Sequence, residues 1–256
     1  MTIIPALLFD VGNTRLKWGV LADGRISKTG SVTHEKLRES GFSAITTRVP
    51  RNVSTIAVSN VAGSAFGTRL SGVMGMHCNA DIRFAHCEKK AYGVTSSYRQ
   101  PRRLGVDRWF ALIGAWNEFR SALCVVDAGT ATTIDAIDKS GQHLGGQIIP
   151  GMRLMGESLQ RKTSDIAPSG RYGRDPGNEL GIFGKNTNDA IANGVLTATC
   201  GAIEFAVTRM RRAKLRPKIV LTGGDASRIL KQLNSNVIHR PNLVLQGLSI
   251  MLQSDT

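Results

Sequence analysis

Short apolar runs separated by glycine turns dominate the first 32 positions of the chain. Residues 6–10 predict a buried strand, and a tight turn at Gly12-Asn13 separates it from a second strand over residues 16–21. Asp23-Gly24 is a further hairpin signal before a third run at residues 26–32. The pattern therefore predicts a three-stranded meander.

The remainder of the first half alternates helical and strand patterns. Residues 55–59 predict a further strand, flanked by short helices near residues 34–40 and 65–70. The apolar residues Val106, Phe110 and Ile113 then recur near helical spacing. We expect a helix that begins at about Gly105.

The opening pattern then returns. A β-rich run over residues 123–127 ends in Asp127, and Gly129 precedes a second strand that reaches Ile137. Both halves thus contain a strand, Asp-x-Gly, a polar turn and a strand, and the two aspartates, Asp10 and Asp127, are 117 residues apart. This repeat predicts an α/β protein of two similar halves, residues 1–118 and 119–256, with a cleft between them.

A long helix and a strand follow in the second half. Thr187 is a candidate N-cap for a helix whose apolar positions recur every three to four residues as far as Met210. Residues 218–221 predict a buried strand that runs into Gly223-Gly224, with Asp225 placed to cap the next helix.

Charge narrows the partners without selecting one. The 256 residues contain 33 Lys plus Arg and 19 Asp plus Glu, a formal net charge of +14. This suggests an anionic partner, and nucleic acid, membrane surfaces and phosphorylated small molecules all qualify. The densest cationic run, residues 209–218, lies at the end of a predicted helix, where cations complement the macrodipole. It contains no aromatic residue for base stacking, so we do not expect nucleic acid as the primary ligand.

Composition favours a cytoplasmic globular protein. No stretch is uniformly apolar over the roughly 20 residues that a membrane-spanning helix needs, and residues 1–9 lack a signal-peptide pattern. The four cysteines form no CxxC pair, which fits a reduced compartment. The pairs His77-Cys78 and His86-Cys87 lack the short spacing of zinc ligands, so we interpret them as core or loop residues.

The Asp10–Thr14 turn can bind phosphate. A strand-end carboxylate, a glycine and two hydrogen-bonding residues let backbone amides approach phosphate oxygens while Asp10 holds a hydrated Mg²⁺. An ordinary hairpin has the same pattern, but its recurrence at Asp127–Thr130 favours two loops that grip a triphosphate. Lys17 either adds a charge toward the phosphates or points outward. Walker and dinucleotide fingerprints are absent.

Two further segments carry candidate chemistry. The diglycine Gly223-Gly224 lets a nucleoside lie against bare backbone, although a plain strand-to-helix turn explains it equally well. In the segment 104–109, Asp107 beside Arg108 is either a capping carboxylate with an exposed partner or a catalytic pair. As a pair, Asp107 accepts the proton of an attacking hydroxyl and Arg108 binds a substrate carboxylate or offsets phosphoryl charge.

Together these residues resemble the type III pantothenate kinase family, which is similar to the Bvg accessory factor proteins. The resemblance covers residues 10–225, with the motifs in the family's order. They are Asp10-x-Gly12-Asn13-Thr14, Tyr98 and Pro101 before Gly105-x-Asp107-Arg108, Asp127-x-Gly129-Thr130, Gly145-Gly146, Pro150-Gly151, Gly184-Lys185-Asn186-Thr187 and Thr222-Gly223-Gly224.

The resemblance implies a fold, a reaction and a set of site residues. It implies duplicated ribonuclease-H-like halves of the actin-like ATPase superfamily, ATP-dependent phosphorylation of pantothenate as the first step toward coenzyme A, and a homodimer. Asp107 becomes the general base. The substrate contacts become Tyr98, Gly105, Val106, Asp107, Arg108 and Thr187. The ATP contacts become Asp10, Val11, Gly12, Asn13, Thr14, Arg15, Leu16, Lys17, Thr130, Gly223 and Gly224.

The resemblance also implies ions, and it includes one departure. Asp127 corresponds to a ligand of a monovalent cation, K⁺ or NH₄⁺, and Asp10 to a residue that holds Mg²⁺ through water. Many relatives carry Asn two residues before the substrate tyrosine, where this chain has Ser96.

Two alternative functions stay open. Another small-molecule kinase of the same superfamily has the same phosphate motifs, and a nucleic-acid-binding accessory protein fits the positive charge.

Overall fold

A computed structural model describes residues 4–162, 179–233 and 236–254, with side chains at 160–162 and 179–180 left aside. The contacts divide the chain into two compact units. Unit 1 runs as far as Glu118 and also takes the segment from Asn242 to the C-terminus. Unit 2 comprises Phe119–Pro241.

Unit 1 is built on a five-stranded sheet of order β3-β2-β1-β4-β5. The first three strands form the antiparallel meander, and β4 and β5 join β1 in parallel. Its strands are β1 (Ala6–Val11), β2 (Arg15–Ala22), β3 (Arg25–Thr33), β4 (Thr55–Asn60) and β5 (Asp81–Phe84), with the separate pair β6 (Lys90–Ala91) and β7 (Val94–Thr95). Its helices are α1 (His34–Ser40), α2 (Ser43–Thr46), α3 (Ser64–Cys78), α4 (Val106–Phe119) and α8 (Leu243–Ser254), and a 3₁₀ turn spans Pro101–Arg103.

Helices flank the unit 1 sheet because its strands bury apolar side chains on both faces. Phe9, Leu16 and Val58 share one cluster with Leu37 of α1 and Leu70 of α3. Helix α8 contacts β1 to β4. It also crosses α4 closely, because a Cβ on Gly114 would lie 2.5 Å from the Leu243 carbonyl oxygen and one on Gly247 would overlap that of Phe110.

Unit 2 repeats this topology, with sheet order β10-β9-β8-β11-β12. Its antiparallel β8, β9 and β10 are again followed by parallel β11 and β12. The strands are β8 (Leu123–Ala128), β9 (Ala131–Ile137), β10 (His143–Pro150), β11 (Lys218–Thr222) and β12 (Val237–His239). The helices are α5 (Met152–Lys162), α6 (Thr187–Arg212) and α7 (Ala226–Leu230), and a 3₁₀ turn spans Glu179–Ile182. The fold is therefore α/β with two similarly built units.

The structure corrects several local expectations. The second half was predicted to extend to residue 256, but the contacts of the last helix, α8, place it in unit 1. Helix α3 continues to Cys78, well past residue 70, and ends where Asn79 adopts left-handed φ of 49°. Asn186, and not Thr187, caps α6, since its side chain accepts a hydrogen bond from the Asp189 N–H. Asp225 sits before α7 but makes no capping hydrogen bond.

Helix α6 is long and apolar enough to cross a membrane by length and composition alone. Its residues Val195, Ile203 and Val207 instead pack into the core of unit 2 beside Val126 and Leu221. The tertiary contacts therefore account for its hydropathy as that of a core helix.

Candidate active site

The β1–β2 turn presents Asp10 and Lys17 side by side. The two residues face each other across the antiparallel ladder, so both side chains lie on one face of the sheet. The Gly12 N–H donates to the Arg15 carbonyl at 3.0 Å, which closes the turn. Asn13 and Thr14 are exposed at its tip. This places a carboxylate, a cation and open backbone at the end of a buried strand.

Ser59 lies beside Asp10 on the neighbouring strand, and the sequence pattern did not indicate it as a site residue. It is the β4 residue in register with Asp10, and it is fully buried. Its Oγ has no hydrogen-bond partner among the residues that the structure describes. In unit 2, Thr222 is the β11 residue in register with Asp127, so the repeat places a strand-end hydroxyl beside each aspartate. That correspondence is the signal by which the sequence could have shown Ser59.

The start of α4 holds Asp107 and Arg108 in different environments. Asp107 lies in the first turn, where its Oδ1 accepts from the Arg108 N–H at 2.8 Å. A Cβ at Gly105 would approach that Oδ1 to 2.6 Å, so the glycine leaves room for the carboxylate. Arg108 is only 7% exposed, and it is therefore not the exposed partner of a capping carboxylate.

Tyr98 holds the buried guanidinium of Arg108. The Arg108 Nη1 donates to the Tyr98 hydroxyl at 3.1 Å, and its Cζ lies 5.8 Å from the tyrosine ring centroid. Ser96 in turn accepts the Tyr98 N–H on its Oγ at 3.2 Å, and the Lys89 ammonium donates to the Ser96 carbonyl at 2.7 Å. Ser96 therefore fixes the backbone that carries Tyr98.

The pKa of the neighbouring Cys87 thiol reflects the charges of Asp107 and Arg108. Cys87 donates to the Leu104 carbonyl at 3.1 Å. Burial, and then the negative charge of Asp107, raises the pKa of Cys87 to about 12, while Arg108 opposes the rise. The thiol therefore stays protonated at neutral pH and serves as a hydrogen-bond donor next to Asp107 and Arg108.

The second Asp-x-Gly turn, in unit 2, is tied to two glycine segments. The Gly129 N–H donates to the Ala131 carbonyl, and the Gly151 N–H donates to that of Thr130, both at 3.0 Å. A Cβ on Gly151 would overlap the Gly129 carbonyl oxygen, and one on Gly223 would overlap that of Ala128. Only glycine therefore fits at positions 151 and 223, and at Gly223 the φ of 100° adds a conformational reason.

The diglycine ends beside a partly buried carboxylate. Gly224 is exposed, with open space where a Cβ would be. Burial raises the pKa of the Asp225 carboxyl, against the opposing charges of Arg228 and Arg153. The Asp225 side chain accepts from Arg228 Nη1 at 3.1 Å, and its N–H donates to the Ala128 carbonyl at 3.1 Å. Asp225 thus connects the segment after β11 to the end of β8 and, instead of capping α7 with its side chain, pairs with Arg228.

Thr187 lies elsewhere in unit 2. It is the exposed first residue of α6, at the rim of an apolar groove of about 560 Å³ between α5 and α6. Leu154, Ile191 and Val195 also line this groove. The structure thus gathers the proposed site residues into local groups: Asp10 with Lys17, and Tyr98 with Arg108, in unit 1, and Asp127, Thr130 and the diglycine in unit 2.

Two sheets of equivalent strand order, each with an Asp-x-Gly turn after its first strand, define the actin-like ATPase fold. The sequence model of the family described as type III pantothenate kinase matches residues 6–209. The chain belongs to the type III pantothenate kinase family.

Individual relatives agree with this assignment. The type III pantothenate kinase of Nitrosococcus oceani is 33% identical, with 95% of this chain and 92% of that protein covered. The enzyme of the same name from Azoarcus sp. strain BH72 is 38% identical over 97% of this chain and 91% of that protein. A conserved putative Baf family transcriptional activator from Campylobacter jejuni has a similar solved structure, with TM-score 0.60, 23% identity, and 97% and 98% of the two chains covered. The last similarity concerns the fold alone.

Proposed function

We propose that this protein transfers the γ-phosphoryl group of ATP to the terminal hydroxyl of pantothenate, the first step of coenzyme A biosynthesis. The observation that carries the proposal is the Asp107–Arg108–Tyr98 arrangement at the start of α4, in a chain of this family. The substrate oxygen attacks the γ-phosphorus, its proton passes to the Asp107 carboxylate, and the bond to the ADP leaving oxygen breaks. The products are 4'-phosphopantothenate and ADP.

Pantothenate carries a carboxylate, which needs a cation, and Arg108 supplies it. The guanidinium is already oriented by the Tyr98 hydroxyl, so little side-chain entropy is lost when a carboxylate binds. We assign Tyr98, Gly105, Val106 and Thr187 as further substrate contacts.

ATP is assigned to both Asp-x-Gly turns and to the diglycine. In unit 1 the turn formed by Asp10, Val11, Gly12, Asn13, Thr14, Arg15, Leu16 and Lys17 is the first phosphate loop, and Lys17 adds a positive charge on the Asp10 face of the sheet. Thr130, Gly223 and Gly224 are the contacts of unit 2. We add Ser59 as a hydroxyl donor on the Asp10 face. A buried O–H without a partner is destabilising, and a hydrogen bond to an oxygen of the nucleotide would remove that cost.

The residues present fit Mg²⁺ and a monovalent cation. Within the described residues no three His, Cys, Asp or Glu side chains cluster, so a dedicated cage for a soft metal is absent there. Mg²⁺ needs only one or two carboxylates together with waters and phosphates, which Asp10 suits. Asp127, near the carbonyl oxygens of the second turn, offers K⁺ or NH₄⁺ an all-oxygen set. Bound beside the triphosphate, these cations offset its negative charge.

We further propose a cytoplasmic homodimer. The apolar side chains of Ile148 in β10, Leu154 in α5 and Phe183 before α6 are 61%, 46% and 70% exposed, which favours a partner that covers them. Light scattering on the purified protein measures the oligomeric state directly.

Pantothenate-dependent release of ADP tests the proposed reaction. The assay compares ATP with pantothenate against ATP with other small alcohols and acids, in the presence of Mg²⁺ and with K⁺ or Na⁺. We expect turnover only with pantothenate and higher turnover with K⁺. Turnover with a different alcohol would identify another kinase of the superfamily, and folded protein without kinase activity but with salt-sensitive DNA binding would favour the accessory-protein function.

A further inference from the structure

A polar cavity in unit 1 shares only Arg15 with the first phosphate loop and has no assigned role of its own in the proposed reaction. It has a volume of about 450 Å³ and lies between the β2–β3 ladder and helices α1 and α2. We call it the basic pocket. Its ten lining residues include three cations, five hydroxyl side chains and no carboxylate: Arg15, Ser31, Val32, Thr33, Lys36, Ser40, Ser43, Ala44, Thr47 and Arg48.

The three cations keep their charge available. Arg15 Nη1 donates to the Ser31 Oγ at 3.0 Å, and this neutral partner leaves its charge uncompensated. Arg48 is exposed and makes no ion pair within the described part of the chain. Lys36 contacts Glu39 at 3.3 Å, but both side chains are 59% exposed, and ion pairs of this kind contribute little. The pocket therefore keeps a net positive charge, because Glu39 offsets only Lys36, through an exposed pair, and no carboxylate pairs with Arg15 or Arg48 in the described part of the chain.

Hydroxyl groups add directed donors to this charge. Thr33 Oγ1 accepts the Lys36 N–H at 3.2 Å, and Ser31 Oγ accepts from Arg15. Each of these two hydroxyls still has its O–H proton to donate to a bound acceptor. Ser43 and Thr47 instead donate to the helix carbonyls of Ser40 and Ser43. The pocket thus offers donors and cations, a chemistry complementary to an oxyanion.

We propose that the basic pocket binds a dianionic phosphate group, either inorganic phosphate or a phosphomonoester of a small metabolite. Three cations on separate elements match a group whose oxygens accept hydrogen bonds in several directions. A concave volume of about 450 Å³ is in the range of small-ligand sites. Lys36 and Arg48 belong to no residue group assigned to ATP or pantothenate, so this phosphate site does not depend on the kinase activity, although Arg15 is shared with the first phosphate loop.

The test measures phosphate binding in the absence of nucleotide. Thermal unfolding of the full chain is followed against inorganic phosphate, glycerol 3-phosphate and glycerol, with ionic strength held constant by NaCl. We expect both phosphates to raise the midpoint in a saturable way and glycerol to leave it unchanged. Tighter binding of glycerol 3-phosphate than of inorganic phosphate identifies a phosphomonoester as the ligand class, and the reverse identifies free phosphate.

Four variants locate the bound group. Arg48→Ala and Lys36→Ala each remove a pocket cation and should each weaken phosphate binding about tenfold or more. If one of the two variants does not fold, the other still tests the proposal. Arg38→Ala removes an exposed cation from α1 that does not line the pocket, and it should bind phosphate as the unmodified chain does. Lys17→Ala should also retain binding, because Lys17 lies on the phosphate loop and outside the pocket.

Three results would overturn the proposal. One is the absence of any phosphate effect beyond that of matched NaCl. Another is an equal loss in Arg38→Ala, which would show a general charge effect. The third is a loss in Lys17→Ala with full retention in Arg48→Ala, which would place the phosphate at the β1–β2 loop.

Discussion

Arg108 is a charged side chain held almost entirely out of water. Such a group is costly unless it is paired and hydrogen-bonded, and here the Tyr98 hydroxyl and ring face the guanidinium. A helix-capping role for the neighbouring Asp107 needs no buried arginine. The burial of Arg108 therefore favours the catalytic interpretation of the pair over the capping one.

Replacement of Asp107 by asparagine tests its role as the base. The amide keeps an oxygen that accepts the Arg108 N–H but cannot take up the proton of the attacking hydroxyl. We expect kcat to fall by about 100-fold or more, a typical contribution of general base catalysis, while the affinity for ATP is retained. Steady-state kinetics and titration with a non-hydrolysable ATP analogue measure the two quantities. Near-normal turnover would remove Asp107 from this role.

Ser59 is tested by removal of its hydroxyl. Because Ser59 Oγ is buried without a partner in the described structure, Ser59→Ala should leave the free energy of unfolding unchanged or raise it by up to ~1 kcal/mol. The KM for ATP should rise several-fold, since a donor on the Asp10 face is lost.

Ser121→Ala is the matched control for Ser59. Its Oγ is likewise buried without a described partner, but Ser121 precedes β8 in unit 2, at the opposite end of that strand from Asp127. It should leave the KM for ATP unchanged. An unchanged KM in both variants would show that Ser59 does not contact the nucleotide.

At the scale of elements, glycine residues shape the Asp127–Thr130 turn through backbone packing. Gly151 precedes α5, and a Cβ at this position would overlap the carbonyls of Gly129 and Thr130. Gly223 likewise lets the end of β11 approach Ala128. These contacts tie three segments, separated by up to about ninety residues, into one turn region. The sequence suggests a nucleoside surface or a plain turn at Gly223-Gly224, whereas the structure shows that backbone packing requires Gly151 and Gly223.

Gly151→Ala should disrupt this turn. The added Cβ overlaps backbone atoms that cannot rotate away, so we expect a loss of about 2 kcal/mol or more in the free energy of unfolding. Turnover should fall as well, because the Thr130 carbonyl is displaced. Chemical denaturation and the ADP assay measure the two effects.

Gly72→Ala is the control for the glycine substitution. Gly72 lies inside α3 with open space around its Cβ position, so alanine should stabilise the protein by about 0.5–1 kcal/mol. A Gly151→Ala variant as stable as this control would contradict the packing described for the turn.

At the scale of the whole molecule, the last helix and the excess charge have structural explanations. Helix α8 buries Leu243, Leu245 and Leu248 in unit 1, although it follows unit 2 in sequence. Part of the positive charge is likewise accounted for. The arginines within residues 209–212 lie in the last turn of α6, where they complement the helix dipole. Lys218 Nζ and Arg240 Cζ lie 5.1 and 5.4 Å from the Phe119 ring centroid. None of these positions needs a nucleic-acid partner.

The four cysteines give a prediction for the folded chain. All four are buried and unpaired. Burial raises the pKa of Cys87 and Cys124 to about 12 and that of Cys200 to about 11, and it also raises the pKa of Cys78. We therefore expect Ellman's reagent at pH 8 to label the native chain slowly and the guanidinium-unfolded chain rapidly at four thiols.

The sign of the pH effect follows from the direction of these shifts. Each folded-state pKa lies above the unfolded value, so the unfolded chain releases protons first as the pH rises above about 9. Stability is therefore full below that pH and declines above it. Rapid labelling of native protein at pH 8 would show that the thiols are accessible and ionised.

Much of the fold could be predicted from residues that are close together in the sequence. The Gly12-Asn13 and Asp23-Gly24 turns, the helix at His34–Ser40 and the repeated Asp-x-Gly segments depend on residues close in sequence, so periodicity and turn chemistry predict them. The same signals gave the phosphate loops and the Asp107–Arg108 pair as candidates.

Only the tertiary structure decided the remainder. It showed that Ser59 lies in register with Asp10, that Arg108 is buried against Tyr98, that Asn186 caps α6, and that α8 returns to unit 1. Strand register, side-chain burial and the return of a distant helix depend on contacts between residues far apart in the chain, whereas a sequence pattern reports only the few residues around each position. The sequence by itself thus determined many of the elements, the repeat and the candidate chemistry, and long-range packing determined which side chains meet.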